Sequence, residues 1–205
     1  VAETIGKIAV LGVGNIGGGL GRKWVAAGRT VAFGVADPNG AKAQALRADV
    51  GEKAPITSVA EALQGAEIVV FAIPGKTMDA TVAANAAALD GKLVIDAANR
   101  MGEPSFNSYA TFQRLAPNAH YVRAFNSLGA ENFVNANFAG GPADLFYAGP
   151  DADRAVIEAL IGDIGLHPVR LGDSEKATQV DLVLQLWFAL VPTYGRHFAF
   201  KVLTD

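Results

Sequence analysis

The hexad Gly12-Val13-Gly14-Asn15-Ile16-Gly17 stands directly behind an apolar run, Ile8-Ala9-Val10-Leu11. The pattern G-x-G-x-x-G carries a mechanism only where a buried strand turns tightly into a helix. That context is present: Ile8 to Leu11 reads as a strand and Gly17 to Ala27 as the helix behind it. The first glycine then makes the tight turn, the second lets backbone approach a pyrophosphate, and the third lets helix and sheet pack closely. Phosphates rest on free N–H groups at the positive end of that helix. Such a beginning points to a βαβ unit and a bound dinucleotide. The plainer alternative is a glycine-lined turn with no ligand.

The rest of the chain alternates in the same way. Strands are expected at Thr30 to Val35, Ile56 to Ser58, Glu67 to Ile73, Lys92 to Ala97 and Ala119 to Phe125. Helices are expected at Ala41 to Asp49, Val59 to Gln64 and Lys76 to Leu89. Near-continuous apolar strands separated by helices imply a parallel sheet covered on both faces. Further on, Leu145 to Ala148 and Pro168 to Leu171 read as strands around a helix from Asp151 to Ile164. From Ser174 a long helical segment begins, with Pro192 and Gly195 placed to kink or break it. The fold class expected is α/β: a Rossmann-type doubly wound parallel sheet over residues 1–143, with a small, largely helical C-terminal portion over 144–205.

Composition narrows the function. The 205 residues are 51% hydrophobic, enough to bury a core, and the net charge of −3 comes with no basic block. No nucleic-acid partner is therefore expected. With no cysteine, disulfides, thiolate metal sites and cysteine nucleophiles drop out. His120, His167 and His197 lack ligand spacing, so no metal is expected. The apolar stretch Leu182 to Tyr194 is shorter than the ~20 residues of a membrane span, and no leader segment is apparent. These features lead to the expectation of a soluble, cytoplasmic protein without a membrane partner.

In an open parallel sheet, ligands bind beyond the carboxyl ends of the strands, where the strand order reverses. Those ends are Gly12 to Gly17, Val35-Ala36-Asp37, Ile73-Pro74-Gly75, Ala97 to Arg100, and Phe125-Asn126-Ser127-Leu128. Asn99 and Asn126 are suited to holding an amide or a ribose, or equally to capping a turn. A carboxylate after the second strand selects NAD and an arginine selects NADP. Asp37 favours NAD unless it merely starts a turn with Pro38, and Ala36 carries no charge. The choice stays open.

With these segments placed, the whole chain resembles the NADPH-dependent coenzyme F420 reductase family, which is related to the oxidoreductase domain of the STEAP metalloreductases. The resemblance rests on I-A-V-L-G-V-G-N-I-G-G-G-L (8–20), T-V-A-F-G-V-A-D-P (30–38), V-V-F-A-I-P (69–74), V-I-D-A-A-N (94–99) and Y-V-R-A-F-N-S (121–127). Two late stretches, L-F-Y-A-G-P-D-A-D (145–153) and G-L-H-P-V-R-L-G (165–172), extend it. The Arg-Ala-Phe-Asn segment at 123–126 is the most specific part. The resemblance implies a homodimer that transfers hydride between NADP(H) and a planar deazaflavin (coenzyme F420) or flavin. Carried over by position, cofactor contacts fall on Val13, Gly14, Asn15 and Ile16, and along the dinucleotide on Ile73, Ala98 and Ala124. The family's arginine after the second strand is missing, since Val35-Ala36 stand there. Arg22, Lys42 or Arg100 would have to compensate, or the choice of nucleotide has relaxed. Phe125 to Leu128 are expected to wall the second-substrate pocket, with Gly140 and Gly141 leaving room for a flat ring.

No separate catalytic residue stands out. One rival is a β-hydroxyacid dehydrogenase or imine reductase, which needs a proton donor; Lys176 is the only candidate for a helix-borne lysine. No Tyr-x-x-x-Lys occurs, which disfavours short-chain dehydrogenase chemistry. Another rival is a non-enzymatic NAD(P)(H)-binding redox sensor that signals through dimerisation of the apolar C-terminal helix.

Overall fold

A computed structural model describes residues 5–205. Its main sheet has six parallel strands in the order β3-β2-β1-β4-β5-β6. The strands are β1 (Ile8–Leu11), β2 (Val31–Val35), β3 (Ile56–Ser58), β4 (Ile68–Phe71), β5 (Leu93–Asp96) and β6 (His120–Arg123). The order reverses between β1 and β4, which leaves a crevice at their carboxyl ends. Helices α1 (Asn15–Ala26), α2 (Ala41–Val50), α3 (Val59–Leu63), α4 (Met78–Asn85) and α5 (Tyr109–Leu115) cover the faces.

Alternation along the strands divides the core. Ile8, Val10, Phe33, Val70 and Ile95 face one side with Leu20 and Trp24 of α1, whereas Ala9, Leu11, Val69, Phe71 and Val94 face the other with Met78, Val82 and Phe112. Every residue of β1, β4 and β5 is buried, as expected for a sheet sandwiched between helical layers. Even Asp96 is fully buried.

Beyond β6 come α6 (Glu131–Val134), β7 (Asp144–Tyr147), α7 (Arg154–Asp163), β8 (His167–Arg170) and α8 (Ala177–Tyr194). Strands β7 and β8 form a second, two-stranded parallel sheet. It joins the main one through paired backbone hydrogen bonds between Arg123 and Ala148. One core cluster runs through both parts, with Leu145, Tyr147, Ile157 and Leu160 packed among the residues of the large sheet. Trp24 Nε1 donates to the Leu160 carbonyl at 3.0 Å, tying α1 to α7.

The expected elements are present, with differences at their ends. Several strands are shorter than their apolar runs, because those runs continue into the turns that bear the site. The stretch Lys76 to Leu89 is a short α-helix flanked by 3-10 turns. The long helix starts at Ala177 after a 3-10 turn, passes through Pro192 unbroken and stops only at Gly195, whose φ is +74°. Helices α5 and α6 escape a reading of periodicity because each is at most two turns long.

Candidate functional site

The glycine loop shows one physical reason for each glycine. A Cβ on Gly12, whose φ is +98°, would lie 2.5 Å from the Ala72 carbonyl, and one on Gly17 would lie 2.1 Å from the Gly12 carbonyl. Both positions are closed to larger residues by the loop itself. At Gly14 a Cβ would meet nothing within 4 Å. The space there is open, and Gly14 is also the N-cap of α1. No side chain caps that helix, and its first turn holds no acidic residue. An uncapped helix start behind open space fits a pyrophosphate, which the N–H groups and the helix dipole would hold.

Val35 ends β2, and Ala36 and Asp37 follow it exposed at the carboxyl edge. Asp37 Oδ1 accepts a hydrogen bond from the Asn39 N–H at 3.0 Å, so it does start a turn. Of the three candidate replacements for the missing arginine, Arg100 is bound to Asp79 at 2.5 Å and to Thr111. That hydrogen bond, together with the one from Thr111, holds Asp79 below the usual carboxylate range. Arg22 pairs with Asp49 at 2.7 Å, but its guanidinium passes beside Gly18, near the start of α1. Lys42 is exposed on the first turn of α2. Sequence reasoning missed Arg47, which donates to the carbonyls of Pro38 and Ile56 around the same loop.

A cleft of about 220 Å³ opens in front of the glycine loop. Asn15 and Ile16 form one side of it, Ala97 and Asn99 the floor, and Phe125, Asn126 and Leu128 another wall. Leu184, Trp187 and Phe188 of α8 and Arg196 complete it. Its size suits one flat heterocycle and is below the ~300–1,000 Å³ of sites that enclose drug-sized ligands. A larger hollow of about 820 Å³ lies beside the start of β6. It is lined by Asp151, Asp173 and Glu175 at the opposite strand ends, so both its charge and its place suit a phosphate poorly.

Phe125 has φ +67°, the one non-glycine residue in the left-handed region among those described. Its ring is wedged edge-on between Trp24 and Phe133, at 5.6 and 6.2 Å. Packing thus holds a conformation that is strained for a side-chain-bearing residue. The consequence is a sharp corner after β6 that brings Asn126 onto Ala98 and Asn99, just beyond the end of β5.

Several expected site residues take a different part. Ser127 is fully buried and does not line the cleft. Ala124 is also fully buried, and the Ala98 carbonyl is occupied by hydrogen bonds from Arg123 and Asn126. Ile73 packs against Gly12, and Pro74 is exposed beside it. Gly140 and Gly141 do not join the cleft; they form a turn beside the C-terminal tail, where Lys201 donates to the Pro142 carbonyl. Lys176 is exposed on the turn before α8, outside the cleft.

Arg123 is the functional residue whose role sequence reasoning missed, although its segment was singled out. It is wholly buried. Its Nε and Nη2 donate to Asp181 Oδ1 at 2.9 and 2.7 Å, and its Nη2 to Asn99 Oδ1 at 2.8 Å. Asp96 lies 3.4 Å away and also accepts from Tyr121 Oη and the Ser108 N–H, each at 2.8 Å. Burial raises the Tyr121 phenol well above its ordinary value, and the neighbouring Asp96 adds to this. Burial also raises Asp181, against the pull of Arg123. The cluster joins β5, β6 and α8 and fixes the floor of the cleft. Among the described residues no group of three or more His, Cys, Asp or Glu is placed to hold a metal, and no helix is long and apolar enough to cross a membrane.

A six-stranded sheet of this order, with a glycine loop at its switch point, is a Rossmann-type fold, and its likeness to known proteins indicates an NAD(P)-dependent oxidoreductase. More particularly, residues 7–100 match the family described as NADP oxidoreductase, coenzyme F420-dependent. A protein of Arthrobacter sp. FB24, provisionally named an F420-dependent NADP-reductase, superposes with a TM-score of 0.83 at 27% identity, covering 97% of this chain and 100% of that one. A hypothetical protein from Sinorhizobium meliloti gives 0.71 at 25% identity, covering 97% and 96%. An imine reductase from Pseudomonas sp. gives 0.71 at 18% identity over 92% of this chain and 64% of its own, a likeness of fold alone.

Proposed function

We propose that the protein transfers a hydride between NAD(P)H and a deazaflavin such as coenzyme F420, or a flavin. The carrying observation is the chemistry of the cleft. Its only titratable lining group is Arg196, since the other lining side chains are apolar or amides. An arginine stays protonated at neutral pH and so offers no proton to exchange. Reducing a ketone or an imine requires a proton donor at the reacting atom, and Lys176, the candidate for one, lies elsewhere. Hydride transfer between two flat rings requires chiefly stacking and exclusion of water, because the rings carry the chemistry. A bound nicotinamide would supply the hydride and solvent the proton, so the residues of the cleft would have only to orient the rings and exclude water.

In this reading the glycine loop and α1 hold the pyrophosphate, while Val35, Ala36 and Asp37 meet the adenosine ribose. Phe125, Asn126 and Leu128 wall the ring site. A homodimer belongs to the same reading, with Leu182, Leu186 and Phe188 of α8, which are exposed in the single chain, as the contact. Light scattering on the purified protein would reveal it as twice the chain mass; a monomer at micromolar concentration would remove it.

The decisive assay gives purified protein NADH or NADPH with coenzyme F420 or FMN and follows absorbance. Reduction of a deazaflavin or flavin is expected. Binding of nucleotide with no turnover on either acceptor would instead favour the sensor. Ala36→Arg is a further test, because it restores a guanidinium after β2. It should strengthen NADPH binding relative to NADH by about 10–100-fold, corresponding to the ~1.5–3 kcal/mol of a charge-assisted hydrogen bond. Unchanged relative affinities in a calorimetric titration would mean that the 2′ end lies elsewhere.

A further inference from the structure

Two side-chain amides at the carboxyl edge of the sheet have orientations set by buried neighbours. Arg123, already locked to Asp181, donates from Nη2 to Asn99 Oδ1. A guanidinium can only donate, so the Asn99 oxygen must face it. Asn126 Nδ2 donates to that same oxygen and to the Ala98 carbonyl, both at 3.2 Å. Turning the Asn126 amide over would set its oxygen against two acceptors. Hydrogen-bonding chemistry therefore fixes both amides.

Each then presents its other half. Asn99, which is partly exposed, has its Nδ2 on the side away from Arg123, and Asn126 Oδ1 accepts no hydrogen bond although Asn126 is only 2% exposed. A buried amide oxygen without a donor is costly, and natural folds rarely keep one without a purpose. Both residues line the cleft shared with Asn15 and Ile16. The cleft is thus bordered by two adjacent amides, one of which keeps a buried oxygen without a donor.

We propose that Asn99 and Asn126 together recognise the edge of a planar amide, with Asn99 Nδ2 donating to its carbonyl and Asn126 Oδ1 accepting from its N–H. The inference rests on the hydride-transfer reading, whose two ring systems both carry such an edge. One is the carboxamide of nicotinamide, and the other is the imide edge of a deazaflavin or flavin. The pair determines specificity, and the Asp181–Arg123 couple acts through it as a positioning element.

The test compares binding in two arms, so that a lack of turnover would overturn only the hydride-transfer reading. In the first, NADPH is titrated against its acetylpyridine analogue, in which a methyl replaces the amide nitrogen. In the second, FMN is titrated against FMN methylated on the imide nitrogen. Wild type should prefer the unmodified ligand roughly tenfold in at least one arm. Asn126→Ala should bring that ratio near one, and the arm in which this happens identifies the edge that is read. Asn99→Asp keeps an oxygen for Arg123 and turns the donor into an acceptor. If Asn126→Ala fails to fold, this variant carries the test. It should weaken the preferred ligand roughly tenfold while leaving ADP-ribose, which lacks both edges, unaffected. Wild type without a preference in either arm, or variants that keep it, would overturn the proposal.

Discussion

Arg123→Met is expected to destabilise the protein by about 3–5 kcal/mol, the usual cost of removing one partner from a buried ion pair. Against a total stability of ~5–15 kcal/mol, this is a large fraction, and it corresponds to a fall of roughly 6–20 °C in Tm for a chain of this size. The two carboxylates beside Arg123 do not suffer equally. Asp96 keeps the Ser108 and Ala98 N–H groups and the Tyr121 hydroxyl. Asp181 keeps only Asn107 Nδ2, at 2.6 Å. The uncompensated charge therefore falls on Asp181. A double variant, Arg123→Met with Asp181→Leu, should recover much of the loss, because it removes the orphaned charge along with its partner.

The loss should also depend on pH. Burial already raises Asp181 above the ordinary carboxylate value, and without Arg123 the rise is greater. A carboxyl raised in the folded state is stabilising while protonated, below its unfolded pKa. That contribution is lost as pH rises through the folded value. The gap between Arg123→Met and wild type should consequently be small in mild acid and widen toward neutrality. Urea midpoints for the two proteins at pH 4.5 and pH 7.5 check this. A gap that is constant, or that narrows with rising pH, would place the orphaned charge elsewhere.

What was legible in the chain follows from how locally each feature is encoded. Strands β1, β4 and β5 appear as unbroken apolar runs because they lie buried on both faces. The turn at Gly12 appears because only glycine accepts its φ and its closeness to Ala72. Arg123 was visible as part of an unusual Arg-Ala-Phe-Asn segment, but nothing local says that an arginine is buried. Its partners Asp96 and Asp181 lie 27 and 58 residues away, so only tertiary packing brings them together. A clue was present in Asp96, a carboxylate ending the apolar strand Leu93-Val94-Ile95. A charge in such a place needs a buried partner. The Gly140-Gly141 loop misled for the complementary reason: small residues are compatible with a pocket, yet they serve a turn just as well.

The glycine loop should separate binding from folding when two of its positions are changed. Gly14→Ala adds a methyl group where nothing lies within 4 Å, and its φ of −71° is open to alanine. The fold should therefore be unharmed, with Tm within a degree or two, since surface changes away from special features stay within about 0.5 kcal/mol. The same methyl would stand between the start of α1 and an approaching pyrophosphate. Affinity for NADPH is expected to fall by about 100-fold, equivalent to losing one or two charge-assisted hydrogen bonds. Gly17→Ala should behave differently. Its Cβ would lie 2.1 Å from the Gly12 carbonyl and 3.0 Å from Ala72 Cβ, a backbone clash that forces the loop away from β4. Overpacking of this kind costs about 1–3 kcal/mol, so Gly17→Ala should lose both nucleotide affinity and Tm. Calorimetric titration beside thermal melts distinguishes the two variants. If Gly14→Ala bound NADPH as tightly as wild type while still folded, the pyrophosphate could not lie on this helix terminus.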